Sequence, residues 1–106
     1  MRAPVIRISL GFFDAAKADL VETKFAEVQE RLEPGISTMR GNLGYFAGID
    51  RSNNAMHNVS LWETAEDANQ MASFQPMLDL AGEFVALGVR FQWPILNFET
   101  LWSFGA

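Results

Sequence analysis

A strand that runs almost directly into a capped helix lies at residues 58–68 and constrains the fold of the whole chain. The period of two that marks a β-strand is seen in the order Asn58, Val59, Ser60, Leu61 and Trp62. Thr64 and Asp67 then have the spacing of an N-terminal capping box, in which the hydroxyl accepts a hydrogen bond from a backbone N–H. The segment predicts a sheet that packs Val59 and Leu61 on helices and uses its other, polar face to line something else.

The remainder of the chain predicts the element order β-α-β-β-α-β. Apolar runs predict strands at residues 5–13, 43–51, 55–63 and 89–104. A helix capped by Asp14 and ended by Pro34-Gly35 follows the first strand, and Pro76 divides a second helix into two segments. This order is typical of the ferredoxin-like α+β fold, a four-stranded antiparallel sheet with both helices on one face.

The helix-free face of that sheet is predicted to carry aromatic side chains. Trp62, Trp93 and either Tyr45 or Phe46 fall on it in this interpretation. Because large exposed apolar patches mark interaction surfaces, we expect this face to be covered by a second copy of the chain.

Composition excludes several classes of function. The 106 residues suffice for one domain, and a net charge of −5 with only eight Lys and Arg residues argues against a nucleic-acid partner. The absence of cysteine excludes disulfides and thiolate metal sites. With no apolar run of the roughly 20 residues that span a bilayer and no signal segment, we expect a cytoplasmic protein without a membrane partner.

Several segments resemble the antibiotic biosynthesis monooxygenase-like domains of the dimeric α+β barrel superfamily. They are the first strand Val5–Ser9, Gly44–Asp50, Val59–Ala68 and the aromatic end Leu101–Phe104. The resemblance covers essentially the whole chain, which implies a single domain of this type over residues 1–106. It also implies a homodimer whose two sheets face each other as a barrel, with a small pocket between each sheet and its second helix. Proteins of this kind include cofactor-free oxygenases that act on phenolic or quinol substrates.

The sequence disfavours one activity of this superfamily, which is heme degradation. A resemblance to the heme-degrading branch would imply Asn on the first strand, Trp on the third strand and His on the second helix. Trp62 matches the tryptophan, whereas Arg7 and Ser9 stand in place of the asparagine, and the predicted second helix has no histidine. We therefore expect any oxygenase chemistry to use no cofactor, and a chain with one His and no Cys offers no metal site.

The candidate substrate-binding residues lie on the first three predicted strands and at the break in the second helix. They are Arg7, Ser9, Tyr45, Asn58, Ser60, Trp62 and Phe74. Because the first and third strands are neighbours in this topology, their candidates would share one sheet face. Arg7 would bind a phenolate or carboxylate and stabilise an anion that reacts with oxygen, while Trp62 would form an aromatic wall of the pocket and the amide and hydroxyl groups would orient a small aromatic ligand.

Structural roles compete with these assignments. Arg7 could instead pair with a carboxylate such as Glu99 at a dimer interface, and packing alone also explains Trp62 and Tyr45. His57 has the one unperturbed pKa near neutrality, but alternation puts it on the opposite side from the polar row. Two interpretations of the function follow. In the first, the chain binds a small molecule and acts as a cofactor-independent monooxygenase on an aromatic or quinol substrate. In the second, it is a non-catalytic homodimer with a ligand-binding or structural role.

Overall fold

The computed structural model describes residues 4–105 and has the predicted α+β ferredoxin-like fold. Its strands and helices are β1 (Val5–Phe12), α1 (Ala18–Ile36), β2 (Asn42–Asp50), β3 (Ala55–Trp62), α2 (Ala65–Ala68), α3 (Gln75–Ala86), β4 (Arg90–Phe91) and β5 (Leu96–Glu99). All strand pairs are antiparallel, in the order β2-β3-β1-β4, and β5 also pairs with β1. No helix within residues 4–105 is both long enough and apolar enough to cross a membrane.

The last predicted strand is interrupted. In place of one strand at 89–104, β4 and β5 pair with two separate parts of β1. Pro94 lies between them and has no backbone N–H to donate to a ladder. After β5, the backbone N–H of Thr100 donates to the carbonyl of Pro4 at 2.9 Å, and the chain that follows, as far as residue 105, belongs to no strand.

Helix α1 extends past its predicted end. It continues through Pro34 and Gly35 to Ile36. Because Ile36 is 3% exposed and packs in the core, burial of its side chain outweighs the poor helix propensity of the two residues before it. At the other end a 3₁₀ turn at Ala15–Lys17 precedes α1, and the side chain of Asp14 makes no capping hydrogen bond. The prediction of an Asp14 side-chain cap was wrong.

The second helical region is divided as predicted. Helix α2 passes into a 3₁₀ turn at Asn69–Ser73, and α3 follows with Pro76 in its first turn. Thr64 Oγ1 accepts a hydrogen bond from the backbone N–H of Asp67 at 3.0 Å, which confirms the predicted cap. The carboxylate of Asp67 also accepts a hydrogen bond from Arg40 Nε at 2.6 Å. This pair ties the start of α2 to the connection that precedes β2.

The helices cover the opposite face of the sheet from the one predicted. The core between sheet and helices consists of Val5, Phe13, Ala18, Val21, Val28, Leu32, Ile36, Met56, Trp62, Ala68, Met71, Leu80, Phe84 and Val89. Trp62 is 0% exposed there. The prediction that Val59 and Leu61 pack on helices while Trp62 faces a partner was wrong, because alternation shows which side chains share a face but not which face the helices cover.

The helix-free face is apolar and open. By alternation and register its large side chains are Ile6, Ile8, Leu10, Phe12, Phe46, Val59, Leu61, Leu96 and Phe98. Phe46 is 62% exposed and Phe98 is 48% exposed. Gly48 lies on the same face, and a Cβ placed there would meet nothing within 4 Å. An apolar surface of this extent is typical of an interaction site.

Candidate ligand-binding site

A row of polar side chains crosses the sheet beneath the helices. It consists, in spatial order, of Asn97 on β5, Arg7 on β1, Ser60 on β3 and Tyr45 on β2. Two residues further along β1, Ser9 lies opposite Asn58 on the same face. The structure thus brings the candidates of three strands together on one face, and that face packs against the helices.

Arg7 is the cation of this row. It lies opposite Asn97 on β5, whereas Glu99 lies opposite Val5, and within residues 4–105 the guanidinium has no ion pair with Glu99 or with any other carboxylate. Burial lowers the pKa of Arg7, an effect that the nearby Tyr45 opposes. A half-buried guanidinium with free N–H donors is a favourable place for an anion.

A cavity of about 270 Å³ lies in front of Arg7, between the β1–β5 side of the sheet and the helices that follow β3. Its lining consists of Arg7, Ser9, Asn69, Met71, Ala72, Met77, Leu78, Ala81, Phe91, Trp93, Ile95 and Asn97. Among these side chains Arg7 is the only one that carries a charge at neutral pH. The walls are mostly apolar, and the polar groups of Arg7, Ser9 and Asn97 are contributed by neighbouring strands.

Ser60 and Trp62 are packed behind this cavity and do not line it. The indole Nε1 of Trp62 donates to Ser60 Oγ at 2.8 Å. Trp62 is 0% exposed and Ser60 is 2% exposed. Their hydrogen bond satisfies two polar groups inside the core, which favours the packing role for Trp62.

Tyr45 and Asn58 form a second internal pair. The phenol O–H of Tyr45 donates to Asn58 Oδ1 at 2.7 Å. Burial raises the pKa of Tyr45, while the charge of Arg7 acts in the opposite direction. Tyr45 therefore stays protonated at neutral pH and fixes the carboxamide of Asn58. Tyr45 also lines a second cavity of about 480 Å³, between α1 and β2.

Phe74 and His57 lie away from the Arg7 cavity. A Cβ on Gly35 would lie 2.6 Å from the ring of Phe74, so this ring packs on the last turn of α1 and lines neither cavity. His57 lies opposite Leu10 and Gly48, on the helix-free face. Within residues 4–105 no group of His, Asp and Glu side chains could hold a metal ion.

The far wall of the cavity is formed by residues that the sequence analysis did not predict to bind a substrate. They include Leu78 and Ala81 of α3 and the side chains around Pro94, among them Trp93 and Asn97. A signal for part of this wall exists, since Phe91, Trp93, Ile95 and Asn97 alternate along one side of the last extended stretch. The contribution of α3 depends on helix packing and has no local signal.

This α+β ferredoxin-like fold is shared with solved structures of candidate antibiotic biosynthesis monooxygenases. No protein-family model matches the sequence, and no curated protein matches it. The likeness is therefore one of structure, and at these low identities it establishes a shared fold.

Three solved structures illustrate this likeness. A candidate antibiotic biosynthesis monooxygenase of Deinococcus radiodurans has a TM-score of 0.72 at 13% identity, over 96% of this chain and 97% of that one. The heme-degrader MhuD of Mycobacterium tuberculosis, with two hemes bound in its active site, has a TM-score of 0.63 at 19% identity, over 95% and 99% of the two chains. A dimeric ferredoxin-like protein from an uncultured marine organism has a TM-score of 0.67 at 13% identity, over 98% and 99%.

Proposed function

We propose that this chain is a small-molecule-binding protein, a single domain that works as a homodimer, and that its Arg7 cavity takes a small aromatic anion. The observation that carries the proposal is a half-buried guanidinium that has no carboxylate partner among residues 4–105 and faces a mostly apolar cavity. A buried cation without a counter-ion costs free energy, and an anionic ligand would supply the missing charge.

The shape and lining of the cavity favour a ligand of one or two rings. Its volume of about 270 Å³ is just below the roughly 300–1,000 Å³ range of sites for drug-sized molecules. Met71 and Met77 provide thioether surfaces, which pack well on aromatic rings, and Trp93 provides an aromatic one. The hydroxyl of Ser9 and the amide of Asn97 are positioned to orient oxygen atoms of the ligand.

The proposed reaction is a cofactor-independent monooxygenation of a phenol or quinol. Arg7 would lower the pKa of the bound hydroxyl by stabilising its anion, and that electron-rich anion would react with O₂. One oxygen atom would enter the ring carbon in place of its hydrogen and the other would leave as water, so that a phenol becomes a quinone. All the electrons that reduce O₂ would then come from the substrate.

Oxygen uptake on a panel of dihydroxyaromatics tests this reaction. We expect Arg7→Gln to abolish uptake above the uncatalysed rate, because the anion loses its counter-charge. Arg51→Gln is the matched control, since Arg51 is exposed, lies in the turn between β2 and β3, and lines neither cavity. Equal uptake by the protein and both variants would refute the assignment.

Non-catalytic binding is the second candidate function. It is favoured by the cavity lining, which has no His, Asp, Glu, Lys or Tyr to act as a general base. This function predicts that a phenolate binds and is released unchanged, with no consumption of O₂. Binding lost in Arg7→Gln, together with an unaltered ligand, would select it over the monooxygenase.

Heme fits the lining of this cavity poorly. Heme iron is held by side chains such as His, Cys, Tyr or Met, and of these the cavity offers only the thioethers of Met71 and Met77. The single histidine, His57, lies on the other face of the sheet. We therefore propose no heme chemistry for this chain. That the protein uses no cofactor stays a prediction, and so does its location in the cytoplasm.

The helix-free face is the proposed dimer interface. It is apolar, and at both edges of the sheet, β2 on one side and β4 with β5 on the other, backbone groups have no strand partner among the described residues. Two sheets packed face to face would bury the apolar side chains and bring these edges together, which removes exposed edge strands. The open space above Gly48 would admit the side chains of the second copy.

A further inference from the structure

The segment that follows β5 is apolar and exposed. Leu101, Trp102 and Phe104 are 90%, 81% and 96% exposed. The segment 101–105 contains no charged residue, and its last backbone contact with the sheet is the bond from Thr100 to Pro4. Large apolar side chains clustered in this way are typical of an interaction surface.

The cavity between α1 and β2 offers an apolar space of suitable size. Its volume is about 480 Å³, and it shares no lining residue with the Arg7 cavity. Its lining consists of Phe25, Val28, Gln29, Leu32, Glu33, Ile36, Ser37, Asn42, Tyr45 and Ala47. Phe25, Val28, Leu32, Ile36 and Ala47 give it apolar walls, and an apolar wall is suited to aromatic side chains.

The segment and the cavity lie at the same end of the sheet but at opposite edges. In the register, Glu99 pairs with Val5, Val5 with Trp62, and Trp62 with Asn42 at the start of β2. The end of β5 and the start of β2 are therefore level, with β1 and β3 between them. The segment 101–105 therefore follows the edge of the sheet that lies opposite the cavity of the same chain.

A second copy of the chain can bring the segment of one protomer next to the cavity of the other. In a face-to-face dimer with a two-fold axis parallel to the strands, the β5 edge of one copy lies over the β2 edge of the other. The strand ends stay level under this operation. Residues after Glu99 then leave the sheet beside Asn42 of the partner subunit, where the cavity between α1 and β2 lies.

We propose that the segment 101–105 of each protomer packs into the α1–β2 cavity of its partner, with Trp102 or Phe104 inside it. The proposal rests on the face-to-face dimer proposed above and adds a reciprocal exchange of segments to it. The exchange buries the exposed aromatic side chains, and it places an extended backbone beside the free edge of β2, where it can complete the hydrogen bonding of that strand.

The absence of cysteine from the sequence permits a direct test by cross-linking. Gln29 lines the cavity, whereas its neighbour Glu30 is exposed and does not. We expect the double variant Gln29→Cys with Ser103→Cys to be joined between chains by a short bismaleimide, giving a covalent species of twice the chain mass in a denaturing gel. The control, Glu30→Cys with Ser103→Cys, should stay at the mass of one chain.

Size measurements on the same samples separate this proposal from the dimer itself. A dimer in which only the Glu30→Cys control cross-links, or in which both variants cross-link equally, would overturn the exchange and leave the dimer intact. A monomer would overturn both. As a second readout, Trp102→Ser with Phe104→Ser should raise the dissociation constant of the dimer by about tenfold or more, which corresponds to roughly 1.4 kcal/mol. An unchanged dissociation constant contradicts the proposal.

Discussion

At the scale of single residues, polar groups beneath the helices are of two kinds. Trp62 with Ser60, and Tyr45 with Asn58, satisfy each other through hydrogen bonds of 2.8 and 2.7 Å. Arg7 has no such partner within residues 4–105. The paired groups explain how a polar row can be packed in a core, and the unpaired cation is the group left for a ligand.

Replacement of Tyr45 by Phe tests the internal pair. We expect Tyr45→Phe to lower the free energy of unfolding by about 1 kcal/mol, because Asn58 Oδ1 loses its donor. Burial raises the pKa of Tyr45 above its ordinary value of 10.0, so the stability that Tyr45 contributes is present below pH 10 and is lost as pH rises through the folded-state pKa. The deficit of the variant, measured by urea unfolding, should therefore shrink above pH 10; a deficit that grows there would contradict this account.

At the scale of elements, a cluster of charges joins the two long helices. The carboxylate of Glu83 on α3 accepts two hydrogen bonds from Arg31 of α1, both at 2.7 Å, and one from Lys24 at 2.8 Å. Chiefly through the bonds from Arg31, this cluster lowers the pKa of Glu83 from 4.5 to about 2. Helix α3, which lines the Arg7 cavity, is thus held to α1 by an interaction that depends on pH.

Acid titration tests this contact. Because the pKa of Glu83 is lowered by folding, its contribution to stability is present above about pH 4.5 and is lost as pH falls towards 2. We expect Glu83→Gln to melt below the unaltered protein at neutral pH and the two melting temperatures to converge between pH 4.5 and pH 2. Glu30→Gln, an exposed carboxylate of α1, is the control and should track the unaltered protein. A gap that persists at pH 2 would contradict the assignment.

Local signals account for the elements that the sequence predicted correctly. The capping hydroxyl of Thr64 and the break before Pro76 are specified by neighbouring residues, and both are confirmed. The continuation of α1 to Ile36 depends on burial against distant residues, so propensity alone ended the helix too early. For the same reason α3 could be predicted as a helix but not as the roof of a cavity.

At the scale of the whole molecule, the sequence predicted the fold but assigned the faces of the sheet in reverse, and the homodimer stays a prediction. The apolar alternates of β1 are as consistent with a helix layer as with a second sheet. The size of Trp62 decides between them, since its ring fills the space between sheet and helices. The same reversal moves Arg7 from a dimer interface to a cavity within one protomer.

A charge on the helix-free face should prevent dimer formation. We expect Phe46→Glu to be monomeric, because a carboxylate would be buried without a partner in the interface. Leu20→Glu is the control, since Leu20 is 51% exposed on α1, compared with 62% for Phe46, and lies outside the helix-free face. Sedimentation velocity distinguishes the two states, and a dimeric Phe46→Glu variant would place the interface elsewhere.

Native mass spectrometry with a coloured phenolate, such as dinitrophenolate, tests the central claim most directly, since one spectrum reports both assembly and ligand. The account predicts a dimer with one phenolate per Arg7 cavity for the unaltered protein and for Arg51→Gln, and a dimer without ligand for Arg7→Gln. Equal occupancy in all three proteins, or a monomer that binds nothing, would contradict the claim that Arg7 forms an anion site within a dimeric barrel.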